Sequence, residues 1–157
     1  MERVPMTKQG AEALRETLAF LKGENRHRIV RTIETARAHG DLSENAEYHA
    51  AKEEQGMNES RITSIEDKLA RAHVIDPSTI TAEKIVFGAS VDLIDLDEGT
   101  EVTYQVVGVD EADIENGKVS ITSPIARAMI GKEEGDIIAV QAPSGEREYE
   151  VQEIRYE

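Results

Sequence analysis

Cysteine and tryptophan are absent from the 157 residues, and phenylalanine occurs only at Phe20 and Phe87. Without thiols, neither disulfides nor thiolate metal centres contribute, which suits a reducing cytoplasm. No apolar run approaches a membrane span, and the opening Met-Glu-Arg-Val-Pro-Met lacks the apolar core of a signal peptide. The expectation is a soluble cytoplasmic protein with no membrane partner. Gly-rich phosphate loops, a Ser-His-Asp order and a paired-His motif such as His-Glu-x-x-His are missing as well. Self-contained hydrolytic or zinc chemistry therefore has no obvious seat.

Basic residues are scarce in the second half. Residues 1–75 hold 12 Lys or Arg against 13 Asp or Glu, while residues 76–157 hold 6 against 19. So acidic a half argues against general duplex binding, because phosphate recognition depends on concentrated Lys and Arg, and no tight independent nucleic-acid binding is expected. Within the first half, Lys22, Arg26, Arg28, Arg31 and Arg37 outnumber Glu24 and Glu34 over residues 22–37. That local basic stripe reads equally well as a solvated helix face.

What is present begins with two helical stripes. Thr7 is a plausible N-cap for a first helix carrying Leu14, Leu18, Leu21, Ile29, Ile33 and Ala36 on one side. A second helix shows a heptad seam at Tyr48, Ala51, Gln55, Asn58, Ile62, Ile65, Leu69 and Ala72. Each stripe can bury one side only, and a short turn at Gly40 makes the other helix the nearest partner. The spacing predicts an antiparallel coiled-coil hairpin over residues 1–76, a rod roughly 45 Å long at ~1.5 Å per residue. Asn25 should face Gln55 and Asn58, polar positions that cost stability but fix register. Asp76-Pro77-Ser78 ends the helical region. Residues 77–157 then read as a small, mainly antiparallel β domain: short runs at 85–87, 90–96, 101–109, 118–122, 136–141 and 146–154, with one short helix near 126–130. The fold class is α+β.

The turn between the helices, Gly40-Asp41-Leu42-Ser43-Glu44-Asn45, places two carboxylates, Asp41 and Glu44, three positions apart at the expected tip. Carboxylates there have no core to serve. One account is local: Asp41 or Ser43 caps the second helix while Glu44 and Glu47 favour its positive end. The other is metal completion. Two acids supply too few oxygens for a free-standing Mg²⁺ site, but they could complete one whose remaining ligands lie on another protein. Spacing alone leaves both open. His39 and His49 read as surface or hairpin-packing residues, and Tyr48 as packing the turn.

The run Gly40-Asp41-Leu42-Ser43-Glu44-Asn45-Ala46-Glu47-Tyr48-His49-Ala50-Ala51-Lys52-Glu53 resembles the tip signature of the bacterial GreA/GreB transcript cleavage factors. Ser123-Pro124-Ile125-Ala126-Arg127-Ala128-Met129-Ile130-Gly131-Lys132 resembles the family's other signature, and Pro5-Met6-Thr7 and Val86-Phe87-Gly88-Ala89 extend the likeness along the whole chain. Leu42 and Glu47-Tyr48-His49 lie nearer the GreA branch. The resemblance implies a factor that is not itself an enzyme. It would bind bacterial RNA polymerase through an FKBP-like second domain and pass its coiled coil down the secondary channel. Asp41 and Glu44 would help hold the second, weakly bound Mg²⁺ of the polymerase active site. The backtracked RNA 3′ end would then be cleaved. It further implies that Arg37 and Lys52 contact that RNA, and that Ser123, Pro124, Ile125 and Arg127 lie in the polymerase-binding part of a monomer. Prolyl isomerase activity does not follow, because two phenylalanines and no tryptophan cannot line an aromatic pocket. A non-catalytic channel regulator is the alternative; relatives of that kind carry extra acids at the tip, where this chain has Leu42 and Ser43. A plain coiled-coil adaptor would explain the heptads but not an acidic tip beyond a basic stripe.

Overall fold

The computed structural model describes residues 2–40 and 44–157. It divides into two compact units, residues 11–71 and residues 1–10 with 72–157. Among the described residues, no helix is long and apolar enough to cross a membrane.

The first unit is the helical hairpin. Helix α1 (Lys8–Phe20) runs through a π turn (Leu21–Asn25) into α2 (Arg26–Arg37), and α3 (Ala46–Arg71) returns. Leu21, Ile62 and Ile65 form a buried cluster with Leu14, Leu18 and Leu69 against it, so the predicted stripes do meet. Further along, Ile29, Ala36 and Ala51 are buried. The polar layer lies where the heptads weaken. Asn25 Nδ2 donates to Asn58 Oδ1 at 2.8 Å, and Asn58 Nδ2 donates to the Leu21 carbonyl at 3.1 Å. Asn58 is 3% exposed, and the carbonyl it satisfies belongs to the π turn. A helix that widens at this level offers a backbone acceptor to its partner in mid-seam. Register is thereby keyed to this layer.

The second unit explains two departures from the sequence reading. α3 stops at Arg71, five residues before the expected end at Asp76-Pro77. Residues Ala72–Ile75 instead form strand β2, paired in parallel with β1 (Val4–Thr7) from Val4↔Ala72 to Thr7↔Ile75. The β-branched Val74 and Ile75 suit a strand once a partner exists. The boundary expected between residues 76 and 77 therefore falls at Arg71/Ala72, and the first ten residues belong with the globular unit. Thr7 caps α1 as expected, its hydroxyl accepting from Gly10 N at 3.1 Å. Glu111 clamps it from the other side: its carboxylate accepts the Thr7 hydroxyl, Thr7 N at 2.9 Å and Gly108 N at 2.8 Å.

The globular sheet orders its strands β5-β4-β3-β7-β6, from β3 (Ser90–Asp95), β4 (Glu101–Val107), β5 (Lys118–Ser120), β6 (Ile137–Ala142) and β7 (Gly145–Arg155). It is mainly antiparallel, as expected, with one parallel pair: β4 and β5 run together through Gln105↔Lys118 to Val107↔Ser120. The run Ile85-Val86-Phe87 forms no strand. Ile85 is fully buried, but it exchanges only two bonds with the segment after α4 (Pro124–Met129), Ile85 N to Lys132 O and Gly131 N to Ile85 O, too few for a ladder. Val91, Leu93, Val106, Val119, Ala126 and Met129 are among the side chains closing the core.

On the same face of β3 as Val91 and Leu93 sits a buried acid. Asp95 Oδ1 accepts the main-chain N–H groups of Asp97 at 2.8 Å and Glu98 at 3.2 Å, and Oδ2 accepts from Arg147 Nη1 at 2.9 Å. The Asp97 amide foremost, with the Glu98 amide and Arg147 helping and burial opposing, holds this carboxyl below the ordinary aspartate range. A depressed folded-state pKa adds stability above the unfolded value near ~4 and loses it as pH falls through the folded value. Asp95→Asn should consequently unfold at lower urea than wild type at pH 7, with the gap shrinking towards pH 3. An equal gap at both pH values would refute this account of Asp95.

Candidate functional site at the hairpin tip

The end of α2 and the start of α3 set the tip. Arg37 is the last residue of α2; Ala38 N bonds to Glu34 O and His39 N to Ala36 O as the helix runs out. At Gly40 the chain turns with φ 117°, a backbone state that L side chains rarely adopt. Asp41, Leu42 and Ser43 lie outside the described residues. Glu44 is exposed immediately before Asn45, which holds the N-cap position of α3. Asn45 Oδ1 accepts Tyr48 N at 3.0 Å, and its carbonyl accepts His49 N at 3.1 Å.

That assignment bears on the two accounts of the tip acids. The capping duty expected of Asp41 or Ser43 is performed by Asn45, so the fold does not need Glu44 as a cap. The signal was available, since asparagine is among the best N-cap residues, but Asp41 and Ser43 stood just upstream and competed for the role. Glu44 borders an open depression with His39, Asn45, Ala46 and Glu47. Among the described residues no three His, Asp or Glu side chains gather to hold a metal ion. The exposed Glu44 carboxylate offers hard oxygen donors of the kind Mg²⁺ takes. The His49 ring meets Tyr48 edge-on at 5.6 Å between centroids.

The basic stripe divides into spent and unspent charges. Lys22 pairs with Glu66 at 3.5 Å, Arg26 grips Glu59 through Nε at 2.8 Å and Nη2 at 2.6 Å, and Arg28 pairs with Glu54. The Arg26 fork holds the Glu59 carboxyl below its ordinary range. These exposed pairs contribute little to stability, but they neutralise the middle of the stripe. Nearer the tip and among the described residues, Lys52 Nζ meets only the neutral Gln55 Oε1 at 3.0 Å, and exposed Arg37 has no ion pair. Arg37, Glu44 and Lys52 thus share one end of the hairpin.

The second set of expected site residues lies in the globular unit and is partly structural. Ser123 caps α4, donating to Ser120 O at 2.6 Å and accepting from Ala126 N at 3.3 Å. Pro124 opens the helix, Ile125 packs against the core, and Arg127 is exposed.

Residues 4–74 match the family described as transcription elongation factor, N-terminal, and residues 80–156 match transcription elongation factor, GreA/GreB, C-term. The chain is 62% identical over 157 residues to the transcription elongation factor GreA of Alkalilimnicola ehrlichii and 59% identical to that of Ralstonia nicotianae, covering 99% of each chain in both comparisons. The chain belongs to the GreA/GreB family. Among solved structures it is similar to the GreA factor homolog 1 (Gfh1) protein of Thermus thermophilus, at 29% identity and TM-score 0.44 over 98% of this chain and 99% of that one. For this GreA/GreB member, both signature stretches fall within the matched regions, the tip run in the first and Ser123 to Lys132 in the second.

Proposed function

We propose that this protein is a cytoplasmic, monomeric elongation factor that acts on bacterial RNA polymerase. It enters the secondary channel with its hairpin and stimulates cleavage of the RNA 3′ end in backtracked complexes. Membership of the GreA/GreB family supports the polymerase as partner. The observation that carries the tip's role is the exposed Glu44 beside an N-cap already supplied by Asn45. Glu44, together with Asp41, would lend oxygen ligands to the second Mg²⁺ of the polymerase. That ion, when bound, supplies Lewis-acid activation of a water against the phosphodiester. Arg37 and Lys52, whose charges are not taken up by a carboxylate among the described residues, would steady the extruded RNA. Lys22 and Arg26 are committed to Glu66 and Glu59.

Adding the protein to a stalled, backtracked complex with Mg²⁺ should shorten the RNA from its 3′ end. The double variant Arg37→Ala, Lys52→Ala should cleave less and crosslink less to the RNA 3′ end, with the hairpin still folded. Slowed elongation without shortened RNA would assign the protein to the channel blockers instead, and unchanged crosslinking and cleavage by the variant would remove the basic pair from the site.

A further inference from the structure

Asn45 has a second bond that capping does not require. While Oδ1 accepts Tyr48 N, Nδ2 donates to the Ala36 carbonyl at 2.6 Å, nine residues back in the last turn of α2. The Ala36 carbonyl already accepts His39 N at 3.1 Å as α2 runs out, so the Asn45 amide occupies its second lone pair, and Ala36 is 2% exposed. One side-chain amide therefore answers an acceptor at the end of α2 and a donor at the start of α3 at the same time. We propose that Asn45 is a positioning residue for transcript cleavage: it staples the two helix ends together and so fixes where Glu44 stands. This rests on the reading of Glu44 given above.

The chemistry selects the residue. Serine or aspartate can accept from Tyr48 N and cap the helix, but serine is too short to span to Ala36 and an ionised aspartate has no N–H to donate. Glutamine has both groups on a chain one methylene longer, unsuited to an N-cap. Glu44 precedes Asn45 directly, so a side chain held from both sides fixes the peptide that joins them. Reacting groups must be held to about half an ångström, and a 1 Å error costs on the order of 10²-fold in rate. The segment carrying both tip acids runs between residue 36 and residue 45, and this bond closes its ends.

The test uses full-length Asn45→Ser and Asn45→Asp with Glu44→Gln beside them, assayed on backtracked polymerase complexes. Both Asn45 variants keep a cap, so helix content and melting temperature should stay near wild type, as should the concentration giving half-maximal competition with wild-type protein. The cleavage rate at saturating factor should fall about ten- to a hundredfold, with a higher Mg²⁺ requirement. Asn45→Asp should fall too, although it adds a negative charge beside Glu44 that would help if charge alone mattered. Asn45→Ser cleaving within twofold of wild type at every Mg²⁺ concentration, while Glu44→Gln is inactive, would overturn the staple and leave the reading of Glu44 standing. A loss that merely tracks weaker competition or lost helix would overturn it equally, reducing Asn45 to a structural cap. Wild-type cleavage by Glu44→Gln would remove the underlying reading and this inference with it.

Discussion

Glu44→Gln and Asp41→Asn should each lose most stimulated cleavage, by about 10²-fold or more, while competing for polymerase as well as wild type does. The amides keep size and polarity but not the negative charge that Mg²⁺ demands of its oxygen ligands, and a metal contact of this kind supplies several kcal/mol to a transition state. If the acids served only to cap α3, the same changes would cost little, because asparagine caps about as well as aspartate and a charge at a helix end contributes about 0.3–1 kcal/mol. Asn45 already holds the cap, so the structure offers little for that second role to do. Titrating Mg²⁺ gives the decisive comparison: a ligand role predicts partial recovery at high Mg²⁺, most visible for Glu44→Gln. Full cleavage by both variants at low Mg²⁺ would exclude a metal role for the tip.

The largest effect on stability is expected at Glu111. Its carboxylate collects the Thr7 hydroxyl, Thr7 N and Gly108 N, and Thr7 is 2% exposed. Truncating it to alanine strands donors that water reaches poorly, at about 1–3 kcal/mol for each buried group left unpaired. Glu111→Ala should therefore lose roughly 3 kcal/mol or more, seen as a melting temperature lower by about 10 °C. Glu111→Gln keeps one acceptor oxygen and should fall in between. The surroundings leave no slack: a Cβ on Gly10 would collide with the Glu111 side chain, and one on Gly108 with the Pro5 carbonyl. Calorimetry showing Glu111→Ala within two degrees of wild type would mean the clamp is dispensable.

Local signals in the sequence led to the parts of the fold that depend on local physics. The alternating three-four spacing from Ala51 to Ile65 named the buried face of α3, and Asn25 opposite Asn58 was legible as a polar interruption in it. Thr7 was visible as a helix start because an N-cap acts within three residues. What escaped was non-local. Val4–Thr7 and Ala72–Ile75 are four residues each, too short for a period, and neither is a strand until the other arrives from 68 residues away. The heptad pattern ran on to Ala72 because the residue is apolar in either state, and only pairing decides. The same holds for the parallel β4–β5 pair, and for Ile85, whose burial looked like strand membership. At the site, the acids announced themselves by charge in a turn, whereas the Asn45 staple needed the Ala36 carbonyl to be brought within reach by the hairpin itself.

The polar layer at Asn58 makes the reach of the hairpin a quantised property. From Asn58 to Asn45 the helix rises about 20 Å, and the register set at Leu21 and Asn25 propagates over that length to the Asn45–Ala36 bond at the tip. Residues could be added or removed only in matched steps, one heptad per arm, or the apolar faces would rotate out of contact. Each step would move the tip by ~10 Å, whereas a catalytic contact tolerates about half an ångström. No step is small enough to be useful. Arm length is thus settled all at once with the register, and adjustment of the site is left to the few residues of the turn.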